Sequence, residues 1–89
     1  MIVDIHTHVF RPETDFGPRL LADLKRCGVD PASWGDVSAR HLETTQAADV
    51  AIVFGIQAAA TGWHVPNDFV AAHVQQAPER LVFFASIDP

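Results

Sequence analysis

The chain has 89 residues, with 48% hydrophobic and 19% charged side chains and a net charge of −5, a balance that indicates one folded domain at most and excludes a disordered chain. The acidic residues are scattered and no basic face is present, which excludes a nucleic-acid partner. We also expect no membrane-spanning segment, secretory leader or disulfide framework, because apolar runs are short, polar side chains interrupt the N-terminus and Cys27 is the single cysteine, and these features indicate a cytoplasmic protein.

The first predicted element is a strand over residues 2–9, where polar and apolar side chains alternate. Side chains two residues apart on a strand point to the same face of the sheet. One face is therefore apolar and rich in β-branched residues, and the other carries three ionisable groups. The polar face is predicted to hold Ile2, Asp4, His6 and His8, and the apolar face Val3, Ile5, Thr7 and Val9.

A long excursion over residues 9–37 follows the strand and contains the first predicted helix. Pro18 suits the first helical position, and Gly28 suits the position after the last turn. The apolar stripe of this helix is predicted to face the core, and its members are Leu20, Leu21, Leu24 and Cys27.

Two further helices are predicted. Residues 38–48 form the weaker one, with Ser38 as its cap, because their apolar stripe is poor. Residues 68–77 form the other, which Asn67 caps and a proline ends. His73 lies on the apolar side of this last helix, so we predict a hydrogen-bonded histidine at the boundary of the core rather than a ligand.

Two continuous apolar runs, over residues 50–56 and 81–87, complete the sheet. Runs this rich in Val, Ile and Phe are typical of parallel strands that are buried on both faces. Strands that alternate with helices indicate βαβ units. We therefore predict an α/β fold of about three parallel strands with intervening helices, and a loop over residues 57–66.

Asp4, His6 and His8 have the spacing of a metal site. Alternate residues on a strand are separated by about 6.6 Å along the backbone, so two imidazoles can converge on one ion at about 2.0–2.1 Å each. A carboxylate can join them or orient an imidazole, and this donor set suits Zn²⁺, with Mn²⁺ as the alternative. The other interpretation is a pair of solvent-facing histidines on an edge strand. The metal site is favoured because three ionisable groups on a covered sheet are costly unless they are paired or bound.

The chain also resembles a known family. The resemblance lies in the Asp-x-His-x-His motif of the first strand, the triplet Asn67-Asp68-Phe69 and the segment PERLVFFASIDP at residues 78–89. Together they look like the start of the amidohydrolase superfamily, and more closely like the amidohydrolase-related branch that includes the aminocarboxymuconate-semialdehyde decarboxylase type. The resemblance covers the whole chain, although residues 9–49 contribute little to it.

This resemblance implies a (β/α)8 barrel with a divalent metal ion at the C-terminal mouth of its strands. It implies that His6 and His8 are metal ligands and that Asp4 is either a ligand or a neighbour that orients one. The remaining ligands of the family come from later strands. A whole barrel takes about 250 residues, so residues 1–89 are expected to be the N-terminal portion of a single, incomplete metal-dependent hydrolase domain.

Segments that follow barrel strands face the active site, which makes Arg11 and His64 candidates for catalysis. Arg11 could grip a substrate carboxylate, and His64 could exchange protons or add a ligand; a solvated loop residue is the alternative for each. Trp34 is either one wall of a pocket for an unsaturated substrate or a local hydrophobic anchor. Asp88 either reaches the site or makes a turn with Pro89.

Two functions remain open at this point. The first is the N-terminal part of a metal-dependent hydrolase or decarboxylase that acts on a small carboxylate-bearing substrate, in which case the 89-residue chain alone is expected to be inactive. The second is a non-catalytic small α/β protein that forms homo-oligomers through its open strand edges.

Overall fold

The computed structural model describes residues 1–87, and strands and helices alternate along most of that length. The strands are β1 (Val3–His8), β2 (Val50–Phe54), β3 (Ile56–Ala58), β4 (Trp63–Val65) and β5 (Leu81–Phe84). The helices are α1 (Pro12–Asp15), α2 (Pro18–Arg26), α3 (Val37–Thr44) and α4 (Asn67–Val74). Short 3-10 turns occupy residues 31–34, 45–47 and 59–61.

The three predicted strands form one parallel sheet in the order β1-β2-β5, with β2 in the centre. The predicted mixed α/β fold with a three-stranded parallel sheet and intervening helices is therefore confirmed. In the register, His8 pairs with Phe54, and Phe54 pairs in turn with Phe84. These three side chains form one row across the C-terminal end of the sheet.

Helices cover only one face of this sheet, so the expectation that its strands are buried on both faces is wrong. Ala51 and Val53 of β2 are buried against the covering elements, which contribute Val70 and Val74 of α4. On β5, Leu81 is buried whereas Phe84 is 48% exposed. The two continuous apolar runs therefore mark the central strand β2 and its neighbour β5, although nothing within residues 1–87 packs over the second face of the sheet.

The helices begin and end at residues that differ in part from the predicted ones. Helix α2 starts at Pro18 after Gly17, as predicted, but the expectation that its apolar stripe faces the core is wrong. The helix has no buried residue, Leu21 is exposed, and Cys27 is exposed at the C-terminal end. Helix α3 is capped by Asp36, whose side chain accepts a hydrogen bond from the Ala39 amide at 3.0 Å, and not by Ser38. Among residues 1–87, no helix has the length and apolar character needed to cross a bilayer.

Residues 57–66 are not the predicted loop. Strands β3 and β4 pair in an antiparallel hairpin, in which Ile56 lies opposite Val65. Gly62 ends the turn between them with a φ of +82°, a left-handed conformation that glycine adopts without steric cost. The hairpin turns Trp63 toward an aromatic cluster, whose other members are Phe10, Phe16 and Trp34. This cluster packs the excursion after β1 onto the end of the sheet.

Candidate metal centre and the adjoining groove

His6 and His8 converge at the C-terminal end of β1. Their Nε2 atoms lie 2.9 Å apart, and their ring centroids are separated by 4.8 Å. Two nitrogens that bind one tetrahedral Zn²⁺ at 2.0–2.1 Å are about 3.4 Å apart. If the two rings move apart by about 0.5 Å, both imidazoles can bind one divalent ion. The pair can therefore supply two of the ligands of a metal ion.

The contact with Phe54 and the burial of His8 favour an oriented, neutral imidazole, which is the form that binds a metal ion. Nδ1 of His8 lies 3.4 Å from the carbonyl oxygen of Phe54, a contact that orients the ring and leaves Nε2 directed at His6. Burial lowers the pKa of His8; the Phe54 carbonyl opposes this effect, and the charge of His6 adds to it. The imidazole is therefore neutral at neutral pH, which is the state a metal ligand needs.

Asp4 is separated from this pair by an irregularity in β1. The register pairs Asp4 with Ala51 and Thr7 with Val53, so one residue of β2 faces two residues of β1 between them. Such a bulge interrupts the alternation of side chains, on which the prediction of one shared polar face depended. The Asp4 Oδ1 atom accepts a hydrogen bond from the backbone amide of His6 at 3.2 Å.

The described part of the chain contains no group of three or more His, Cys, Asp or Glu side chains placed to hold a metal ion. His6 and His8 are thus a pair of donors, whereas a catalytic zinc site uses three protein ligands. The role of Asp4, as a ligand or as a neighbour that orients His6, stays a prediction.

A groove with a volume of about 320 Å³ adjoins the histidine pair. We call it the Arg40 groove, and it is lined by His8, Phe10, Trp34, Val37, Arg40, His41 and Thr44. Trp34 therefore lies where the prediction of a pocket wall requires it. Phe10 meets Trp34 edge to face, with ring centroids 5.9 Å apart. The groove has an aromatic wall, a guanidinium on α3 and an imidazole of the candidate metal centre.

The other predicted site residues lie elsewhere. The Arg11 guanidinium contacts the buried carboxylate of Asp15 at 3.1 Å and stacks 4.1 Å above the ring centre of Phe69. His64 is exposed on the β3–β4 hairpin and lines a separate cleft beside Asp15. Neither side chain lines the Arg40 groove. Asp88 and Pro89 lie outside the described residues.

Sequence reasoning missed a polar network behind β1. Nε2 of His41 lies 2.9 Å from the hydroxyl of Thr7, which in turn donates a hydrogen bond to the Ile52 carbonyl at 2.7 Å. His73 contacts the other nitrogen of His41, and the amide of Gln76 reaches His73. The prediction that His73 is hydrogen-bonded is confirmed, but the residue is buried and does not lie at the boundary of the core. No sequence signal joins it to His41, because 32 residues separate them.

The network contributes to the position of the candidate centre. Thr7 stands between His6 and His8 in the sequence, and its side chain ties β1 both to β2 and to α3. Arg80 fastens the end of α3 by donating hydrogen bonds to the Thr45 hydroxyl and the Leu42 carbonyl, at 2.6 and 2.9 Å. The histidine pair is thus supported from the covered face of the sheet by hydrogen bonds that come from both flanking helices.

Comparisons with protein-family models, with curated proteins and with solved structures find no match to this chain. A function for the chain therefore has to follow from its residues and their geometry.

Proposed function

We propose that the chain is the N-terminal portion of a divalent-metal-dependent hydrolase or decarboxylase of the amidohydrolase-related type. The observation that carries the proposal is the convergence of the His6 and His8 Nε2 atoms to 2.9 Å at the C-terminal end of a parallel strand. In barrels of parallel strands, that end is where active sites lie. Zn²⁺ is the ion that two imidazoles favour, with Mn²⁺ as the alternative.

His6 and His8 would hold the ion, and the Asp4 carboxylate would steady the backbone of His6 through the hydrogen bond that it accepts. When bound, such an ion polarises a substrate oxygen as a Lewis acid. The contribution of this chain is to orient the His8 imidazole beside Nε2 of His6 through its contact with Phe54, and to favour the neutral form of His8 through burial. The substrate would be a small carboxylate-bearing molecule, and the reaction would be hydrolysis of an amide-like or ester-like bond, or loss of CO₂.

The open face of the sheet supports a larger barrel domain. Val82 and Phe84 of β5 are exposed large apolar side chains, and Ile5 of β1 is 69% exposed. Apolar faces of strands are normally buried against further elements, and each exposed side chain forgoes about 1.5–3 kcal/mol of burial. In the proposed barrel, five further strands and their helices would cover these residues and supply the remaining metal ligands.

The histidine pair is tested by nuclear magnetic resonance of the ring nitrogens while Zn²⁺ is added to the chain. We expect the signals of His6 and His8 to move together and those of His64 to stay in place. The variants His6→Ala and His8→Ala should each abolish the response of the remaining partner, whereas His64→Ala is the matched exposed control. A response that survives in His6→Ala, or that includes His64 equally, would remove the metal proposal.

The barrel is tested separately by reading the source DNA beyond the codon for Pro89. A frame that continues for roughly 170 residues and supplies later histidines and an aspartate supports the proposal. A stop codon there would favour the second candidate function, a non-catalytic protein that associates through its strand edges.

The exposed apolar residues of β1 and β5 are the observation that favours this second candidate. Light scattering after size-exclusion chromatography distinguishes the two. A defined oligomer that dissociates in Phe84→Lys supports association through the β5 side of the sheet. Polydisperse aggregates instead indicate an uncovered portion of a larger domain.

A further inference from the structure

The Arg40 groove contains a cation with unused hydrogen-bond donors. One Nη atom of Arg40 donates to the Trp34 carbonyl at 3.2 Å, and a guanidinium has five N–H donors in all. Within residues 1–87, the two ion pairs are Arg11–Asp15 and Arg26–Asp23, and no acidic residue lines the groove. In a chain with a net charge of −5, this groove is therefore a local site for an anion.

The other polar groups of the groove are already engaged. The Thr44 hydroxyl donates to the Arg40 carbonyl at 2.9 Å, and both ring nitrogens of His41 contact network partners. The ring nitrogens of His8 contact the Phe54 carbonyl and Nε2 of His6. Arg40 is consequently the charged side chain of the groove whose donors are available to a bound molecule. The remaining walls are the rings of Phe10 and Trp34 and the side chain of Val37.

We propose that the Arg40 groove binds a flat aromatic or conjugated carboxylate. Arg40 grips the carboxylate through its fork of N–H groups, a geometry that matches the two carboxylate oxygens. Phe10 and Trp34 pack against the flat ring or chain, and the far end of the molecule points toward His8. A volume of about 320 Å³ suits one small ring with its substituents.

This assignment moves the carboxylate anchor from Arg11, the residue predicted from the sequence, to Arg40. The charge of Arg11 is already matched by Asp15, which is 4% exposed, and its guanidinium face is covered by Phe69. Only the part of the inference that concerns the reacting end, near His8, rests on the proposed function. The anion site itself requires no metal.

The test is a titration of the metal-free chain with benzoate, followed by nuclear magnetic resonance through the backbone amide and indole N–H signals of Trp34. Benzamide replaces the carboxylate by a neutral group of the same shape, and cyclohexanecarboxylate replaces the flat ring. We expect saturable binding of benzoate, with benzamide binding about tenfold more weakly or worse, because the charge-assisted contact is lost. Cyclohexanecarboxylate should also bind more weakly than benzoate.

Arg40→Gln should weaken benzoate binding about tenfold or more, and Arg40→Lys should give an intermediate loss because it keeps the charge without the fork. Arg26→Gln is the matched control, since Arg26 is an exposed arginine that pairs with Asp23 on α2. Arg40 is exposed, so its variants should keep the far-ultraviolet circular dichroism of the parent chain.

Three outcomes would overturn the inference: benzoate fails to saturate, benzamide binds as tightly, or Arg40→Gln binds benzoate like the parent. Failure of the proposed function is distinguishable from these, because it appears as a missing Zn²⁺ response of His6 and His8 while benzoate binding is intact.

Discussion

The Nε2 atom of His73 lies 2.9 Å from the Nδ1 atom of His41, and one arrangement of protons satisfies both rings and their neighbours. The Thr7 hydroxyl donates its proton to the Ile52 carbonyl, so the Thr7 oxygen accepts a hydrogen bond from Nε2–H of His41. Nδ1 of His41 is then a bare acceptor for Nε2–H of His73, whose own Nδ1 accepts from the amide of Gln76. Both histidines are neutral in this arrangement, and an added proton on His41 would place its Nδ1–H against Nε2–H of His73.

Acid should therefore destabilise this protein in a defined pH window. Burial lowers the pKa of His41 from 6.5 to about 4, and the charges of His73 and Arg80 add to the effect. A histidine with a depressed pKa binds fewer protons in the folded state than in the unfolded state. The resulting stability is fully present above pH 6.5 and is lost as the pH falls from 6.5 to about 4, on the order of 3 kcal/mol in total.

Urea denaturation at several pH values across that window measures this loss. His41→Gln keeps a side-chain donor but cannot titrate, so its stability should change much less between pH 6.5 and 4. His64→Gln is the matched control and should retain the slope of the parent, because His64 is exposed. Parallel pH profiles for the parent and His41→Gln would contradict the assignment.

The charge of Arg80 should be visible in the titration of the two histidines. Arg80 lowers the pKa of both His41 and His73, after burial in each case. We expect Arg80→Gln to raise both pKa values toward the ordinary value of histidine. Proton resonances of the imidazole carbons, followed over pH, give each pKa directly. Unchanged values in Arg80→Gln would show that the charge of Arg80 does not contribute to the shifts.

Gly55 and Asn67 should be energetically coupled. A Cβ atom on Gly55 would lie 2.5 Å from Oδ1 of Asn67, which cannot move freely because it accepts from the Ser86 amide at 3.0 Å. Nδ2 of Asn67 also donates to the Ser86 carbonyl at 3.0 Å. Gly55→Ala should therefore cost about 1–3 kcal/mol of unfolding free energy, the value of the hydrogen bonds that it displaces.

A double-mutant cycle checks this coupling. In the Asn67→Ala background the obstructing atom is absent, so Gly55→Ala should cost much less than it does in the parent chain. Equal costs in both backgrounds would mean that the collision is relieved elsewhere.

Asp15 should stabilise the fold and take no part in ligand binding. Its carboxylate accepts from the backbone amide of Arg11 at 2.6 Å and from the guanidinium at 3.1 Å. Asp15→Ala leaves the half-buried backbone amide of Arg11 without its side-chain partner and should cost about 1–3 kcal/mol. Thermal unfolding measures this cost, and benzoate binding by Asp15→Ala at a temperature where it is folded should match the parent. A weakened benzoate affinity would instead place the Arg11–Asp15 pair in the ligand site.

The sequence predicted the elements whose signals are local. The strands came from apolar runs, and helix α2 came from Pro18 and its apolar stripe. The prediction that Asn67 caps α4 is wrong: the N-cap is Pro66, and the Asn67 side chain bonds to Ser86, 19 residues away. The site shows the same limit, namely that contacts between distant residues are not visible in the sequence. The spacing of His6 and His8 predicts their convergence, whereas the bulge that displaces Asp4 is a property of its pairing with β2.

Arg40 shows this limit most clearly. In the sequence it is one of five arginines and lies on a weakly predicted helix, whereas Arg11 stands closer to the histidine motif. Whether an arginine is available to a ligand depends on which carboxylates the fold brings to it. Asp15 engages Arg11 within one helical turn, while Arg40 reaches the groove only after α3 has packed beside β1.

The pairing of β1 with β2 also has a consequence for how the protein folds. Thr7 and His8 bond to Ile52 and Phe54 of β2, which lie 45 and 46 residues later in the sequence. During synthesis, β1 therefore remains unpaired until β2 has been made. Closing such a loop has an entropic cost that only later contacts offset, and folds built on distant pairings form slowly. We therefore expect the two imidazoles to come together late, after the central strand is in place. Until then the segment carrying them is an unpaired strand with one apolar face, and unpaired strand edges make a nascent chain prone to aggregation.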